Sequence, residues 1–413
     1  MPQALPAPFV VIVGAGAAGL MAAIFAARAG AQVTVIETTK RGGKKIVISG
    51  GGRCNVLPSA VDEGRFITGS SPRLLGRLLN SWPLDEQRHF FENDLGLPLA
   101  IEEDTGKLFP VSNRATDVRE ALIAAAEAAG AVFRFRTRVA GLSPDATGWR
   151  VQVQDSEQIP AGAVVLATGG LSVPATGSDG FGLDQSARLG HTVHRTYPAL
   201  TPLAADPAPH AALSGISLTV RIRARQGRQR VATHDGFLFT HRGYSGPAVL
   251  DVSHLATLAR EAGQKQDLLV QWTDRDADAW DEALRQPGPG LVATELRAHL
   301  PTRLADALLA EAAIPADRAR AALRRDERAR LIEVLTSYPL PWTGDEGYKK
   351  AEVTGGGVAL GEVDTATLES RVAPGLFLCG ELLDAFGPIG GYNFLWAWAT
   401  GRLAGLGAAA LRE

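Results

Sequence analysis

The chain has 413 residues, more than the roughly 250 to 300 at which a single core stops growing, so two domains or one domain with a large insertion are expected. Hydrophobic residues at 46% and charged residues at 21% exclude a disordered or collagen-like chain, and a net charge of -2 excludes a global field steering it to nucleic acid or anionic membrane. Two cysteines, Cys54 and Cys379, leave no disulfide framework and no cysteine-based metal site, which fits a reducing, cytoplasmic setting.

Residues 9 to 27 form an uncharged, mainly apolar run of membrane-spanning length at the N-terminus. No Lys or Arg precedes Arg28, however, and Gly14, Gly16 and Gly19 punctuate the run. It reads as a buried strand (9 to 13), a glycine turn and a buried helix reaching about Ala29, followed by a second strand from Gln32 to Ile36 that ends at Glu37. After this βαβ unit, Lys40 to Asn55 reads as a basic, glycine-dense loop. Helical patterning is expected at about 72 to 95 and at 115 to 129, strands at about 132 to 139 and 149 to 154, and a fully apolar strand running into glycines at 163 to 170.

The character changes at about 196, where Pro198, Pro202, Pro207 and Pro209 cluster. Residues 218 to 231 alternate like an antiparallel hairpin around Gln226-Gly227, with Arg221, Arg223 and Arg225 on one face. No aromatic residues interleave with these arginines, so a solvated strand face is favoured over an RNA-binding stripe. Residues 290 to 336 read as a helical subdomain, and the chain ends in a helix from about Tyr392 to Leu411. The expected layout is a Rossmann-like α/β nucleotide-binding domain built from 1 to 195 and 345 to 413, interrupted by a mixed β and α insertion at 196 to 344.

The chemistry is carried by glycine. Its 46 residues are about 11% of the chain, against a usual 7%. Gly14-Ala15-Gly16-Ala17-Ala18-Gly19 is a GxGxxG between an expected strand and an expected helix. Gly14 permits the tight turn, Gly16 lets backbone approach a pyrophosphate, and Gly19 allows close helix packing. Glu37, at the end of the second strand, is placed to hold ribose hydroxyls and disfavours a 2'-phosphate, leaving FAD or NAD. Three further glycine clusters favour FAD: Ser49-Gly50-Gly51-Gly52-Arg53-Cys54-Asn55, Ala167-Thr168-Gly169-Gly170 with its continuation to Gly182, and the Gly380 to Asn393 segment. In the last, Glu381 emerges at a strand end where it could bind ribityl hydroxyls, Asp384 follows, and Gly390-Gly391 with Tyr392 and Asn393 open the final helix, whose dipole would favour an anionic reduced flavin.

Several stretches carry a more specific resemblance: GKKIVISGGGRCNV, EEDTGKLFPVSNRATDV, ATGGLSVPATGSDGFG, PALTPL, FLFTHRGYSGPAVLDVS, AEVTGGGV and LFLCGELLDAFGPIGGYNFLWAWATG. In this order, over about residues 10 to 405, the chain resembles the BaiN-like family of bacterial NAD(P)/FAD-dependent flavoproteins. The resemblance implies a glutathione-reductase-like FAD domain made of both chain ends and an insert with a β-barrel-like and a helical part. It also implies FAD contacts at Gly14, Gly16, Gly19, Glu37, the Lys45 to Asn55 loop, Gly380, Glu381 and the Gly390 to Asn393 turn. Two departures bear on substrate: Gly177 to Gly182 stands where the family often reads STGDGY, and Gly43-Lys44 replaces a glycine-arginine pair, exchanging a planar fork for a point charge.

Lysine is scarce, with seven against 35 arginines, and three of the seven fall in Lys40 to Lys45. Lys45 stands evenly between anion binding and loop solvation, whereas Lys349 and Lys350 read as solvated loop. Arg53, Cys54 and Tyr392 are the candidates for chemistry beside a flavin. His191, His241 and Tyr244 read as structural hydrogen-bonding residues, Trp396 and Trp398 with Phe394 as core, and no metal spacing occurs among the eight histidines. The expected function is a flavoenzyme holding FAD noncovalently, reduced by a hydride donor, NAD(P)H foremost, and passing hydride to a small organic acceptor. The family resemblance supports an activated C=C bond as acceptor. The absence of a second GxGxxG means any nicotinamide binds transiently. A flavin-dependent RNA-modifying enzyme and a non-enzymatic FAD redox sensor or electron carrier are the alternatives, and the sequence assigns no oligomeric state.

Overall fold

The computed structural model describes residues 9–146, 148–154, 157–226, 229–286 and 289–411. They form two compact units, 1–198 with 352–413, and 199–351.

The first unit opens with β1 (Phe9–Val13), α1 (Ala17–Arg28) and β2 (Gln32–Glu37). Val10 to Val13 are all buried, as a parallel strand covered on both faces requires. The segment expected as a bare loop at 40 to 55 instead contains a short helix, α2 (Lys44–Ile48), running into a 3-10 turn, Ser49–Gly52, with Gly50 and Gly51 left-handed. Five residues are too few to show a helical period, which hid it in the sequence. Next come β3 (Leu57–Pro58), α3 (Pro72–Leu79) and α4 (Leu84–His89), which continues into a π-helical turn at Phe90–Asp94. The helical patterning expected at about 72 to 95 is thus divided between two helices. Pro83 stands at the break and cannot continue a helical hydrogen-bond ladder.

β4 (Leu99–Glu102) and β5 (Lys107–Pro110) pair with β3 in a small antiparallel sheet. α5 (Ala115–Ala128) leads to β6 (Val132–Phe135), and left-handed Arg136 separates β6 from β7 (Val139–Asp145), so the strand expected over 132 to 139 is two. β7, β8 (Gly148–Val153) and β9 (Gln158–Ala161) form a three-stranded antiparallel sheet. β10 (Ala163–Leu166), α6 (Phe181–Arg188) and β11 (Val193–Ala199) close this part of the chain.

The second unit is a seven-stranded antiparallel sheet with helices. It contains β12 (Leu203–Ala204), β13 (Ser217–Gln226), β14 (Gln229–Phe239), β15 (Gly243–Ser245), α7 (Pro247–Glu261), β16 (Leu268–Gln271), α8 (Ala277–Arg285), α9 (Val292–Arg297), α10 (Thr302–Glu311), α11 (Arg325–Thr336), β17 (Tyr338–Pro339) and β18 (Gly344–Asp345). The strand order is β17-β16-β13-β14-β15-β12-β18. Of the hairpin turn expected around Gln226-Gly227, Gln226 ends β13 and residue 227 lies outside the described residues. A core of its own holds Phe237, Phe239, Tyr244, Trp272 and Trp280.

The chain then returns to the first unit with β19 (Val353–Val358), paired to β11, β20 (Leu376–Leu378) and α12 (Tyr392–Ala410). The central sheet has the order β20-β10-β1-β2-β6 with every pair parallel. The chain leaves β1 toward β2 on one side, while β10 lies on the other, so the carboxyl ends of the strands open a crevice at β1, where open α/β sheets bind ligands. α1 and α12 pack against each other through small residues; a Cβ on Gly401 would run into the Ala18 carbonyl, and one on Gly405 into that of Ala22. The apolar run at 9 to 27 is therefore a buried strand and helix, and no helix among the described residues is long and apolar enough to cross a membrane.

Candidate FAD site

A cleft of about 470 Å³ lies along the carboxyl edge of the parallel sheet, a size typical of cofactor pockets. The ends of the five strands supply its wall: Val13 and Gly14 after β1, Glu37 at the end of β2, Thr137 after β6, Ala167 to Gly169 after β10, and Gly380 and Glu381 after β20. The α2 segment and the N-terminus of α12 complete it.

The glycines divide the work. Gly14 has φ +104°, and a Cβ there would meet the Ala167 carbonyl oxygen at 2.6 Å, so it serves the tight turn. Gly16 lines the cleft, and a Cβ on it would meet nothing within 4 Å. That space lies at the first turn of α1, where backbone N–H groups lack intrahelical partners and the helix dipole is positive, a setting suited to a pyrophosphate. Gly19 is not in the cleft wall; a Cβ on it would strike the Gly14 carbonyl. Gly51, left-handed at φ +66°, also borders open space in the cleft, whereas Gly52 borders open space outside the wall.

Glu37 is buried, and its carboxylate accepts the Ala15 N–H at 2.8 Å and the Thr39 N–H at 2.6 Å. Two protein bonds leave lone pairs for ribose hydroxyls, since an ionised carboxylate accepts about four. Glu381 is more heavily engaged. One oxygen accepts Ser172 Oγ at 2.6 Å, Thr354 N at 3.0 Å and Thr354 Oγ1 at 2.9 Å, and the other takes Lys45 Nζ at 2.6 Å. Lys45 also donates to Ser172 Oγ at 2.6 Å. Glu381 stays in the cleft wall, and its bond network fixes the Lys45 ammonium there, with one N–H still to give. Gly170 lies outside the wall, against Thr354.

The three candidates for chemistry separate sharply. Arg53 lines the cleft, its guanidinium 4.1 Å from the Phe109 ring centre and 3.0 Å from the Glu102 carboxylate. Cys54, the next residue, is sealed from solvent, and burial pushes its thiol up to about 12 despite a hydrogen bond with Ser49. Tyr392 is buried outside the cleft and donates to the Ala60 carbonyl at 3.2 Å. Both readings as flavin-side reactive groups are corrected by this burial: a thiol without water or a cation does not ionise, and a phenol bonded to backbone has no acceptor to serve. Cys379, which lines the cleft, is a free cysteine like Cys54, with its thiol raised by burial.

Ala17, Ala18, Ser49, Gly50, Asn55, Thr168, Gly390, Gly391 and Asn393 are brought together in the wall. Asn55, turned so that its amide nitrogen donates to the Leu57 carbonyl at 3.0 Å, accepts the Gly391 N–H at 3.1 Å and ties two glycine clusters together. Ala15 and Asp384 do not line the cleft. Asp384 is buried and accepts Ser70 Oγ at 2.8 Å and Thr68 Oγ1 at 3.1 Å. His191 is a structural residue, bonded to Glu362 at 3.1 Å and Ser370 at 2.8 Å, with burial lowering its imidazole. Tyr244 is buried and bonded to His210 at 2.9 Å, and His241 is exposed; both belong to the second unit, as do exposed Lys349 and Lys350. Trp396 and Trp398 are buried and donate to the carbonyls of Gly380 and Val56, each at 3.0 Å, but Trp396 and the partly buried Phe394 also border the cleft, so only Trp398 of the three aromatics is core alone. Glu102, Lys107, Phe109 and Arg138 line the cleft too; the first three lie in the family-like stretch EEDTGKLFPVSNRATDV, and no motif marks Arg138.

The cleft fits FAD: bare backbone and an open helix N-terminus for a pyrophosphate, a carboxylate for a ribose, and cations from Lys45, Arg53 and Lys107. The model of the HI0933-like protein Rossmann domain matches residues 8–407. The chain is 33% identical over 395 residues to the ribosomal RNA dihydrouridine synthase of Escherichia coli, covering 94% of this chain and 95% of the relative. It is also 33% identical over 406 residues to the 3-dehydro-bile acid delta(4,6)-reductase of Clostridium scindens, covering 96% and 98%. Among solved structures it is similar in fold to the 3-ketosteroid-delta4-(5alpha)-dehydrogenase from Rhodococcus jostii RHA1, with a TM-score of 0.53 and 17% identity over 100% of this chain and 99% of the other. The BaiN-like resemblance of the motifs agrees with these matches, and the chain belongs to the HI0933-like Rossmann family as an FAD-dependent oxidoreductase.

Proposed function

We propose that the protein reduces a carbon–carbon double bond conjugated to a carbonyl, with NAD(P)H as electron donor. The observation that carries this reading is the placement of Arg53. Its guanidinium is held over the Phe109 ring, 4.1 Å from the centre, and braced by Glu102 in the wall of the FAD cleft. Arginine stays charged at any working pH, so it offers a carbonyl oxygen a positioned donor whose attraction strengthens as negative charge develops there. FAD, when bound, supplies the hydride chemistry. In the balanced reaction the acceptor gains a hydride at one carbon and a proton from water at the other, and one NAD(P)H is oxidised. Lys45, held by Glu381 and Ser172, supplies fixed positive charge to the cleft.

The test is an anaerobic titration of the FAD-loaded protein with NADPH and NADH, followed by a conjugated enone such as 4-androstene-3,17-dione. Bleaching by one nicotinamide and stoichiometric recovery on adding the enone is the expected result. A flavin that neither nicotinamide bleaches counts against the donor, and a bleached flavin that Arg53→Lys reoxidises as fast as the parent counts against the role of Arg53.

A second reading places the double bond in the uracil ring of RNA. It is favoured by the names of two relatives, the Escherichia coli protein and the ribosomal RNA dihydrouridine synthase of Haemophilus influenzae, 32% identical over 397 residues. The uracil ring contains the same chemical unit, a double bond conjugated to a carbonyl. Mass spectrometry of ribosomal RNA treated with the protein and NADPH decides it: a nucleoside heavier by two hydrogens supports it, and unmodified RNA beside an active enone reduction removes it.

A further inference from the structure

We propose that the outer face of the β13–β14 ribbon is a docking surface for an RNA phosphate backbone; the choice of RNA among polyanions rests on the second reading above. Strand register decides which side chains share this face. Arg221 lies opposite His234, Arg223 opposite Ala232, and Arg225 opposite Arg230. Directly opposite residues stand on the same side of a sheet, as do alternate residues along a strand, spaced about 7 Å apart. All six residues are exposed, while the intervening Val220, Ile222 and Ala224 are buried in the core of the second unit. The alternation therefore puts four arginines and a histidine outward together.

Their partners set this face apart from the rest of the unit. Elsewhere in it, most arginines are matched to carboxylates, among them Arg260 to Asp345 at 2.7 Å, Arg297 to Asp306 at 2.7 Å, Arg318 to Glu327 at 2.9 Å and Arg328 to Asp281 at 2.8 Å, while Arg242, Arg303 and Arg325 stand apart from one another in sequence and strand and form no shared face. On the ribbon, Arg223 donates to the Thr336 carbonyl at 2.7 Å and to Ser337 Oγ at 3.0 Å, and His234 meets Asp274 at 3.2 Å. Arg221, Arg225 and Arg230 make no ion pair among the described residues. Arg225 and Arg230 face each other directly, and like charges opposite one another on a sheet cost free energy. In a chain with a net charge of -2, a local concentration of unmatched guanidinium groups suits an external anion.

The chemistry of the face narrows that anion. Guanidinium forks match phosphate oxygens bidentately. A membrane-docking face would add large apolar side chains at the interface, and none of the exposed large hydrophobic residues among the described residues lies on this ribbon. Among the described residues no Phe, Tyr or Trp shares this face with the arginines, and its one imidazole, His234, is engaged with Asp274, so the contact is to the backbone: it positions RNA without reading sequence and weakens with salt.

The experiment uses the FAD-loaded full chain and a labelled stem-loop RNA with unpaired uridines, followed by fluorescence anisotropy across a potassium chloride series. The triple variant Arg221→Gln, Arg225→Gln, Arg230→Gln is compared with the parent and with a charge-matched control, Arg242→Gln, Arg303→Gln, Arg325→Gln. The expected result is a Kd raised at least about tenfold at low salt, with the slope of log affinity against log salt reduced by about 2 to 3, in the ribbon variant and not in the control. Equal losses in both variants, or parent-like binding by the ribbon variant, overturns the proposal. So does a parent that binds anionic phospholipid vesicles but not the RNA. A parent that binds RNA through the ribbon yet leaves ribosomal uridine unreduced removes the catalytic reading and keeps the docking surface. Flavin bleaching by the nicotinamide, unchanged in all three proteins, shows that each is folded.

Discussion

The wall of the cofactor cleft and the packed ridge behind it use the same residue types for opposite ends. At the ridge, Gly401 and Gly405 of α12 lack a Cβ so that another helix can approach; the volume is filled by the Ala18 and Ala22 carbonyls. At the wall, Gly16 and Gly51 lack a Cβ and nothing of the chain fills the space. Neighbouring residues divide the same way, Arg53 facing the cleft and Cys54 sealed behind it. A bare backbone position indicates a ligand only when the chain leaves the vacated volume empty, so the difference separates residues that hold the fold from residues that open the cleft.

The largest effect that would break this contrast is at the ridge. Gly405→Val must drive two methyl groups and a Cβ into backbone that cannot move as a side chain can, an overpacking expected to cost upward of about 4 kcal/mol. The expected outcome is little soluble protein, and circular dichroism of any recovered material should show a large loss of cooperative melting. A variant that melts like the parent would show that α1 and α12 are free to separate.

Gly16→Val should give the reverse pattern. The new side chain meets no protein atom at its Cβ, so the apoprotein should melt within about 1 kcal/mol of the parent apoprotein. FAD affinity should fall at least about a hundredfold, because the branched side chain occupies the space before the helix N-terminus. The ratio of flavin to protein absorbance after gel filtration checks it; a yellow, fully loaded variant would dissociate Gly16 from the pyrophosphate.

What could be read from the sequence follows the same division. The βαβ unit was legible because β1 is a continuous apolar run and Gly14, Gly16 and Gly19 stand at offsets that only a strand, turn and helix explain. The Lys45, Ser172, Glu381 and Thr354 network was not, because its members come from separate segments, with Lys45 and Glu381 336 positions apart. Tyr392 and Asn393 are adjacent in sequence yet divided by the cleft wall, since consecutive residues on a helix point about 100° apart. Cys54 sits in a glycine cluster that faces the cleft, but its own left-handed backbone, φ 61°, accompanies a side chain turned into the core. Composition identifies such clusters; the direction of each side chain depends on dihedral angles that one sequence does not display.

Glu381→Gln sharpens the contrast within the wall itself. The amide keeps the size of the side chain but loses the charge that holds Lys45 and presents a donor where two oxygens now accept. Because both partners are only partly buried, with side-chain exposures of 26% and 18%, the expected stability loss is modest, about 1 to 3 kcal/mol. FAD binding should weaken about tenfold, with the flavin potential shifted as Lys45 loses its fixed position. Potentiometric titration of the flavin checks it, and a potential identical to that of the parent would confine the network to a structural role.

The smallest effect is the one at Cys54, where the expected result is the failure of a reaction to occur. An ordinary thiol ionises near pH 8.5, so its alkylation accelerates steeply between about pH 7.5 and 9.5. With the Cys54 thiol raised to about 12 by burial, iodoacetamide should leave it unmodified across that range in the native protein and label it promptly once the chain is unfolded. The sign of the linkage runs the same way. The stability associated with the raised value is fully present below the unfolded thiol's pKa and declines as pH climbs through the interval toward 12, because the unfolded chain releases the proton that the folded chain retains. Rapid native labelling at pH 8, located at Cys54 by peptide mass, would place this residue in the cleft wall with Arg53 and remove the boundary drawn between the two.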